Sequence, residues 1–136
     1  MFESILIMND LKIKGTIKSP TFDFNYEKGE LNITGRSHPE DVNTVYEPAL
    51  RWLEEYSKNP KPITTANFIL EYYNTSSSKI ILEIFRQLKA LQDAGNNVVV
   101  NWHYVEADED LRDDGEMLGD IVKLPIELVV IKESIS

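Results

Sequence analysis

The chain has 136 residues, no cysteine and a formal net charge of −9, from 23 acidic and 14 basic side chains. That length suits one domain with one buried core, and 42% hydrophobic residues are enough to fill it. The charge disfavours nucleic-acid backbones and anionic membrane surfaces. The missing cysteines exclude disulfides, thiol catalysis and thiolate metal sites, which fits a reducing compartment such as the cytoplasm.

No apolar run reaches the length of about 18 residues that would span a membrane. The start, Met1-Phe-Glu-Ser-Ile-Leu-Ile-Met8, is apolar but short. It lacks the basic leader and small-residue cleavage site of a signal peptide. Residues 1–7 read either as a loosely ordered extension before an alternative start at Met8 or as an extra edge strand. The single domain is taken as 1–136.

Residues 11–16 alternate apolar and polar and predict a strand. Residues 21–26 (Thr-Phe-Asp-Phe-Asn-Tyr) alternate as well. A turn at Glu27-Lys28-Gly29-Glu30 leads to Leu31-Asn-Ile-Thr34, which completes a hairpin. Ser37-His38-Pro39-Glu40 resembles a helix start, with a capping Ser followed by Pro. Val42, Val45, Tyr46, Ala49, Trp52, Leu53 and Tyr56 then form a stripe at helical spacing. Pro48 falls within it and predicts a kink or a late start.

Residues 63–73 are rich in β-formers and predict a long strand. After Asn74-Thr75-Ser76-Ser77-Ser78, residues Ile80, Ile81, Ile84, Phe85, Leu88 and Leu91 predict an amphipathic helix that ends at Gly95. Residues 97–104 read as a buried strand and 107–120 as an acidic helix with Leu111, Met117 and Leu118 inward. Residues 124–131 close with a strand, Pro125 at its first position or an edge. The order β-β-β-α-β-α-β-α-β predicts an α/β (α+β) domain. Its mixed sheet starts with a hairpin, continues with alternating β and α, and is covered by about three helices.

The polar turn at 74–79 is the most informative local feature. On residue type alone, Thr75 or one of Ser76, Ser77 and Ser78 caps the helix, and the run is capping chemistry. The sharper reading is an anion or modification site. Helix N-termini carry unpaired N–H groups and partial positive charge, and Lys79 is close by. The run lacks the glycines and the Gly-Lys-Ser/Thr ending of a P-loop.

Other constellations are weaker. The acidic stretch 106–116 fails the EF-hand pattern, because Arg112 occupies a ligand position. His38 and His103 have no metal-ligand spacing, and no nucleophile-elbow motif accompanies them. No metal or cofactor is expected. Tyr72, Tyr73, Trp102 and Tyr104 read as packing between neighbouring strands, or as anchors of a partner surface. Two rival functions remain: a small-molecule or nucleotide-binding module using the same helix start, and a small hydrolase using His103 with the acidic stretch.

Four stretches together carry a family resemblance: Pro20-Thr-Phe-Asp-Phe24, Gly35-Arg-Ser-His-Pro-Glu40, Phe68-Ile-Leu-Glu-Tyr-Tyr-Asn-Thr-Ser-Ser-Ser-Lys79 and Val100-Asn-Trp-His-Tyr104. The chain resembles the SiaC family of bacterial biofilm-regulation phosphoproteins over roughly residues 8–131. The resemblance implies a non-catalytic cytoplasmic switch with a fold like the STAS-type anti-sigma-factor antagonists. It implies phosphorylation on Thr75, ahead of Ser76, Ser77 and Ser78, by a dedicated protein kinase, and removal of the phosphate by a PP2C-type phosphatase. It also implies that the unphosphorylated form activates a diguanylate cyclase and raises cyclic di-GMP. The partner surface would comprise Tyr73, Asn74, Thr75, Ser76, Ser77 and Lys79. Ser78 stands where the family often has an apolar residue.

Overall fold

Alternation and turn chemistry build the first three strands. In the computed structural model, which describes residues 8–132, these are β1 (Leu11–Ile13), β2 (Thr21–Asn25) and β3 (Glu30–Ser37), paired antiparallel in succession. The two readings of residues 1–7 concern residues outside that range. Gly29 takes a left-handed φ of 63° in the turn between β2 and β3, where its N–H donates to the Tyr26 carbonyl at 3.0 Å. The predicted strand at 11–16 stops at Ile13. The chain turns there because Thr16 Oγ1 accepts from the backbone N–H groups of Lys18 (3.1 Å) and Ser19 (3.0 Å).

From β3 onward the chain alternates. Helix α1 (Val42–Tyr56), strand β4 (Ile63–Tyr73), helix α2 (Thr75–Asp93), strand β5 (Asn97–Val105), helix α3 (Glu109–Val122) and strand β6 (Glu127–Ile131) come next, in the expected order. The six strands lie in sheet order β1-β2-β3-β4-β5-β6, with β3 to β6 parallel. Each crossover steps to the next neighbour in the same direction. Right-handed connections therefore stack all three helices on one face of the sheet, where α2 packs between α1 and α3.

The burial pattern reflects this two-layer arrangement. Phe22, Phe24, Leu31, Ile33, Phe68 and Trp102 point from the sheet into the helix layer and are buried. They meet Tyr46, Leu53, Ile81, Phe85 and Leu88. The intervening residues face away. Asn32, Asn67 and Asn101 stand side by side on β3, β4 and β5. Asn67 Nδ2 donates to Asn32 Oδ1 and Asn101 Nδ2 to Asn67 Oδ1, each at 2.8 Å. This amide ladder fixes strand register from the outer face, as the aromatics do from the inner one.

Three expectations change. Ser37 is the last residue of β3 and is buried, not a cap. Asp41 caps α1 instead, accepting from Thr44 N at 3.2 Å and Thr44 Oγ1 at 2.8 Å. Pro48 lies inside α1, more than a turn beyond its start, so the helix does not start late. The buried stripe Tyr46, Ala49, Trp52, Leu53 and Tyr56 holds that helix despite the lost donor. Met117 faces solvent at 52% exposure, because α3 turns Leu111, Gly115, Leu118 and Gly119 inward.

Glycine at 115 is required by the Trp102 indole, which a β-carbon there would overlap. Trp102 Nε1 also donates to the Leu111 carbonyl at 2.8 Å. Gly115→Ala should therefore destabilise the fold by about 1–3 kcal/mol, the usual cost of overpacking. Urea unfolding checks this; an unchanged midpoint would mean that α3 does not rest on Trp102.

Candidate functional site

The site begins with an irregularity in the sheet. Gly35 pairs with Leu70, but the next residue, Arg36, pairs with Tyr72. Glu71 is thus an extra residue in β4, a β-bulge that reverses the facing of the residues after it. Without it, Tyr72 would point into the helix layer and Tyr73 outward. With it, Tyr72 is 46% exposed, under the Arg36 guanidinium (5.3 Å) and edge-on to His38 (5.7 Å). Tyr73 turns inward onto Trp102, with ring centroids 6.1 Å apart, and its hydroxyl donates to Asp114 Oδ2 of α3 at 2.8 Å. Burial first, then the Asp114 carboxylate, raises the Tyr73 phenol well above its ordinary range, so it stays a protonated donor.

The chain then enters α2. Asn74 N donates to the Ser37 carbonyl at 3.0 Å. The Asn74 side chain caps the helix, accepting from Ser77 N at 2.9 Å. This corrects the assignment of the cap to Thr75 or a following serine. Asn has a carbonyl to spend on the cap, which leaves Thr75 as the first helical residue with its side chain exposed.

The four hydroxyls have different fates. Ser77 is fully buried. Its Oγ lies 2.7 Å from Ser37 Oγ and donates to the Ser37 carbonyl at 3.0 Å. Ser37 Oγ in turn lies 2.7 Å from the buried Tyr46 hydroxyl. This chain of hydroxyls joins α1, β3 and α2, so Ser77 is a packing group and not part of a surface. Ser78 is half-buried and donates to the Thr75 carbonyl at 2.7 Å. Ser76 is exposed but lies outside the neighbouring cleft.

That cleft, of about 380 Å³, runs between α2 and α3. Tyr73, Asn74, Thr75, Ser78 and Lys79 line it with Asp114 at one end, and Leu82, Met117, Leu118 and Ile121 carry it on. The structure therefore gathers Tyr73, Asn74, Thr75 and Lys79, and leaves Ser76 and Ser77 out. Asp114, Met117 and Ile121 were absent from the expected set. Their spacing at i, i+3 and i+7 was the available signal.

The rival chemistry loses its geometry. Trp102 points to the helices, so the adjacent His103 points to the opposite face, away from the acids of α3. Burial lowers the His103 pKa. Asp108 is spent capping α3, accepting from Leu111 N at 3.0 Å. Among the described residues, no group of three His, Asp or Glu side chains is placed to hold a metal ion, and no helix is long and apolar enough to cross a membrane.

Known proteins share this fold and sequence pattern. The model of the SiaC family regulatory phosphoproteins matches residues 13–131. An uncharacterized protein of Pseudomonas aeruginosa strain UCBPP-PA14 is 26% identical over 121 residues, which is 89% of this chain and 96% of that protein. The crystal structure of apo-SiaC from Pseudomonas aeruginosa superposes with a TM-score of 0.83 at 25% identity, over 90% of this chain and 99% of that one. SiaC from the same organism, in complex with the diguanylate cyclase SiaD that it activates, superposes with a TM-score of 0.85 at 25% identity, over 90% and 100% of the two chains. The chain belongs to the SiaC family.

The hydrogen bonds at the head of α2 predict two outcomes. Asn74→Ala should cost about 1 kcal/mol, the usual worth of an N-cap, whereas Thr75→Ala should stay within about 0.5 kcal/mol of wild type. Chemical denaturation of both variants checks the assignment. The second outcome concerns Tyr46, whose phenol is pushed up from 10.0 to about 12 by burial, offset in part by the Ser37 hydrogen bond. A folded pKa above the unfolded one means stability that is intact below about pH 10 and lost between about 10 and 12. The unfolding midpoint should fall across that window, and less steeply in Tyr46→Phe.

Proposed function

We propose that this member of the SiaC family is a non-catalytic cytoplasmic switch that activates a diguanylate cyclase when Thr75 is unmodified. A dedicated protein kinase phosphorylates Thr75, and a PP2C-type phosphatase restores the active form. One observation carries the choice of residue. Thr75 is the exposed hydroxyl at the first position of α2 that also lines the cleft between α2 and α3. Ser77 is buried, Ser78 is half-buried on the Thr75 carbonyl, and Ser76 lies outside the cleft. The family's description as regulatory phosphoproteins and the complex of Pseudomonas aeruginosa SiaC with its cyclase support the same reading.

The physics of the switch is local. Phosphorylation adds about −1.5 to −2 charges at the mouth of the cleft. The positive end of α2 and Lys79 accommodate that charge, so the fold need not change. Asp114 at the same end makes the site doubly anionic, and a partner surface closing over Thr75 would have to strip water from the phosphate. Beyond about 8–10 Å, ionic screening removes the effect. The phosphate therefore acts on whatever touches Thr75 and not on the protein as a whole.

A small-ligand module would also find enough volume here. Met117 and Ile121 are 52% and 49% exposed, however. An open trough between two helices suits a protein surface better than an enclosed metabolite.

The test compares wild type, Thr75→Ala and kinase-treated protein in a cyclase assay with the cognate enzyme. Wild type and Thr75→Ala should activate equally, and the phosphorylated form should bind at least about tenfold more weakly, a difference of about 1.4 kcal/mol. Equal activation by all three would refute the switch.

A further inference from the structure

Helix α1 connects two different regions of the molecule. Near its start, Tyr46 meets the Ser37 hydroxyl that also meets Ser77. Just past its far end, the Asn59 carbonyl accepts from the Tyr26 hydroxyl at 2.9 Å. At that far end a groove of about 510 Å³ opens between α1 and the β1–β2 edge of the sheet. Its volume lies within the range of small-molecule sites, about 300–1,000 Å³. It shares no residue with the cleft that Thr75 lines.

The wall of the groove is apolar and aromatic: Met8, Leu11, Tyr26, Pro48 and Trp52. Contacts outside the groove hold its rings in place. Trp52 Nε1 donates to the Asn9 carbonyl at 2.8 Å. The indole stacks on Tyr56 with centroids 5.0 Å apart and meets Phe24 edge-on at 5.2 Å. Tyr26 meets Tyr56 edge-on at 5.8 Å, and its hydroxyl is bound to Asn59. Neither ring is free to collapse inward, so the groove is preformed.

The mouth is cationic, although the protein carries a net charge of −9. Arg51 and Lys58 line it with one carboxylate, Glu55. Arg51 is paired with Glu47 at 2.6 Å and Lys58 with Glu55 at 3.0 Å, and all four side chains are more than half exposed. Exposed pairs of this kind hold weakly, so both cations can turn to a ligand at small cost. A third cation, Lys61, stands 4.5 Å over the Tyr26 ring. Asp10 is spent accepting from the Tyr26 N–H at 2.9 Å.

We propose that this groove binds a small amphiphilic carboxylate, an acyl or aryl acid. Its apolar part lies on Leu11, Pro48 and Trp52, and its carboxylate lies between Arg51 and Lys58. These two cations are seven residues apart, about two helical turns, and so share one side of α1. The apolar wall rejects polar metabolites, and the cations reject an apolar amine. The proposal is independent of the reading of Thr75.

The experiment titrates the full chain with hexanoate, octanoate and octanol, each below its aggregation limit, and follows backbone NMR shifts. Octanoate should saturate, with shifts at 8–11, at Tyr26 and at 48–59. Each methylene added from hexanoate to octanoate should tighten binding by up to about fourfold. Octanol should bind about three- to tenfold more weakly than octanoate. The double variant Arg51→Gln/Lys58→Gln, altered only at exposed positions, should lose that preference and keep its affinity for octanol. Absence of saturable binding, equal affinity for acid and alcohol, or a preference that survives the double variant would each overturn the proposal. So would shifts centred on 75–82 and 114–121, or binding to anionic phospholipid vesicles without binding of the free acid.

Discussion

Glu71 is one residue more than the parallel pairing of β3 with β4 requires, and the site depends on that excess. Alternation in a strand is strict, so one added residue exchanges the faces of everything after it. Tyr73 thereby meets Trp102 and Asp114, and Tyr72 is released to the surface beside Arg36 and His38. The next residue, Asn74, is held to the Ser37 carbonyl and starts α2 there. Had β4 run regularly, Tyr73 would face away from Trp102 and Asp114.

The buried hydroxyls of Tyr46, Ser37 and Ser77 make that start rigid. Each lies 2.7 Å from the next, and together they tie α1 and α2 to the end of β3. A network of this kind is costly unless every member is satisfied. Here no buried side-chain polar atom among the described residues lacks a partner. Rigidity has a functional consequence. Because the network is buried and fully paired, a charge at the exposed Thr75 would leave it in place and act only on the surface around that residue. The same network explains why four consecutive hydroxyls do not amount to four equivalent targets.

Much of the architecture was legible from the pattern of apolar residues, because a two-layer fold writes its periodicity directly. Strands 21–25 and 63–73, the helix after Asn74 and its end near Gly95 can all be read from spacing and turn chemistry. The failures share one cause: partners distant in sequence. Ser37 before His38-Pro39 resembles a cap, but its hydroxyl belongs to Ser77, forty residues away. The run Leu70-Glu71-Tyr72-Tyr73 carries no alternation that would betray the bulge. Asn74 and Thr75 both have side chains able to cap, and only the geometry separates them. Met117 reads as a core residue until Trp102 claims the inward face of α3 for Gly115. For the site, residue type marked the stretch 73–79, family resemblance marked Thr75, and Asp114 on α3 was visible to neither.

The central claim is that chemistry on this protein is confined to Thr75. Phosphosite mapping by fragmentation mass spectrometry, on protein isolated from its native host, tests it most directly. The account predicts phosphate on Thr75, with Ser76, Ser77 and Ser78 unmodified. Phosphate on any of those serines in protein whose Thr75 is bare would contradict it.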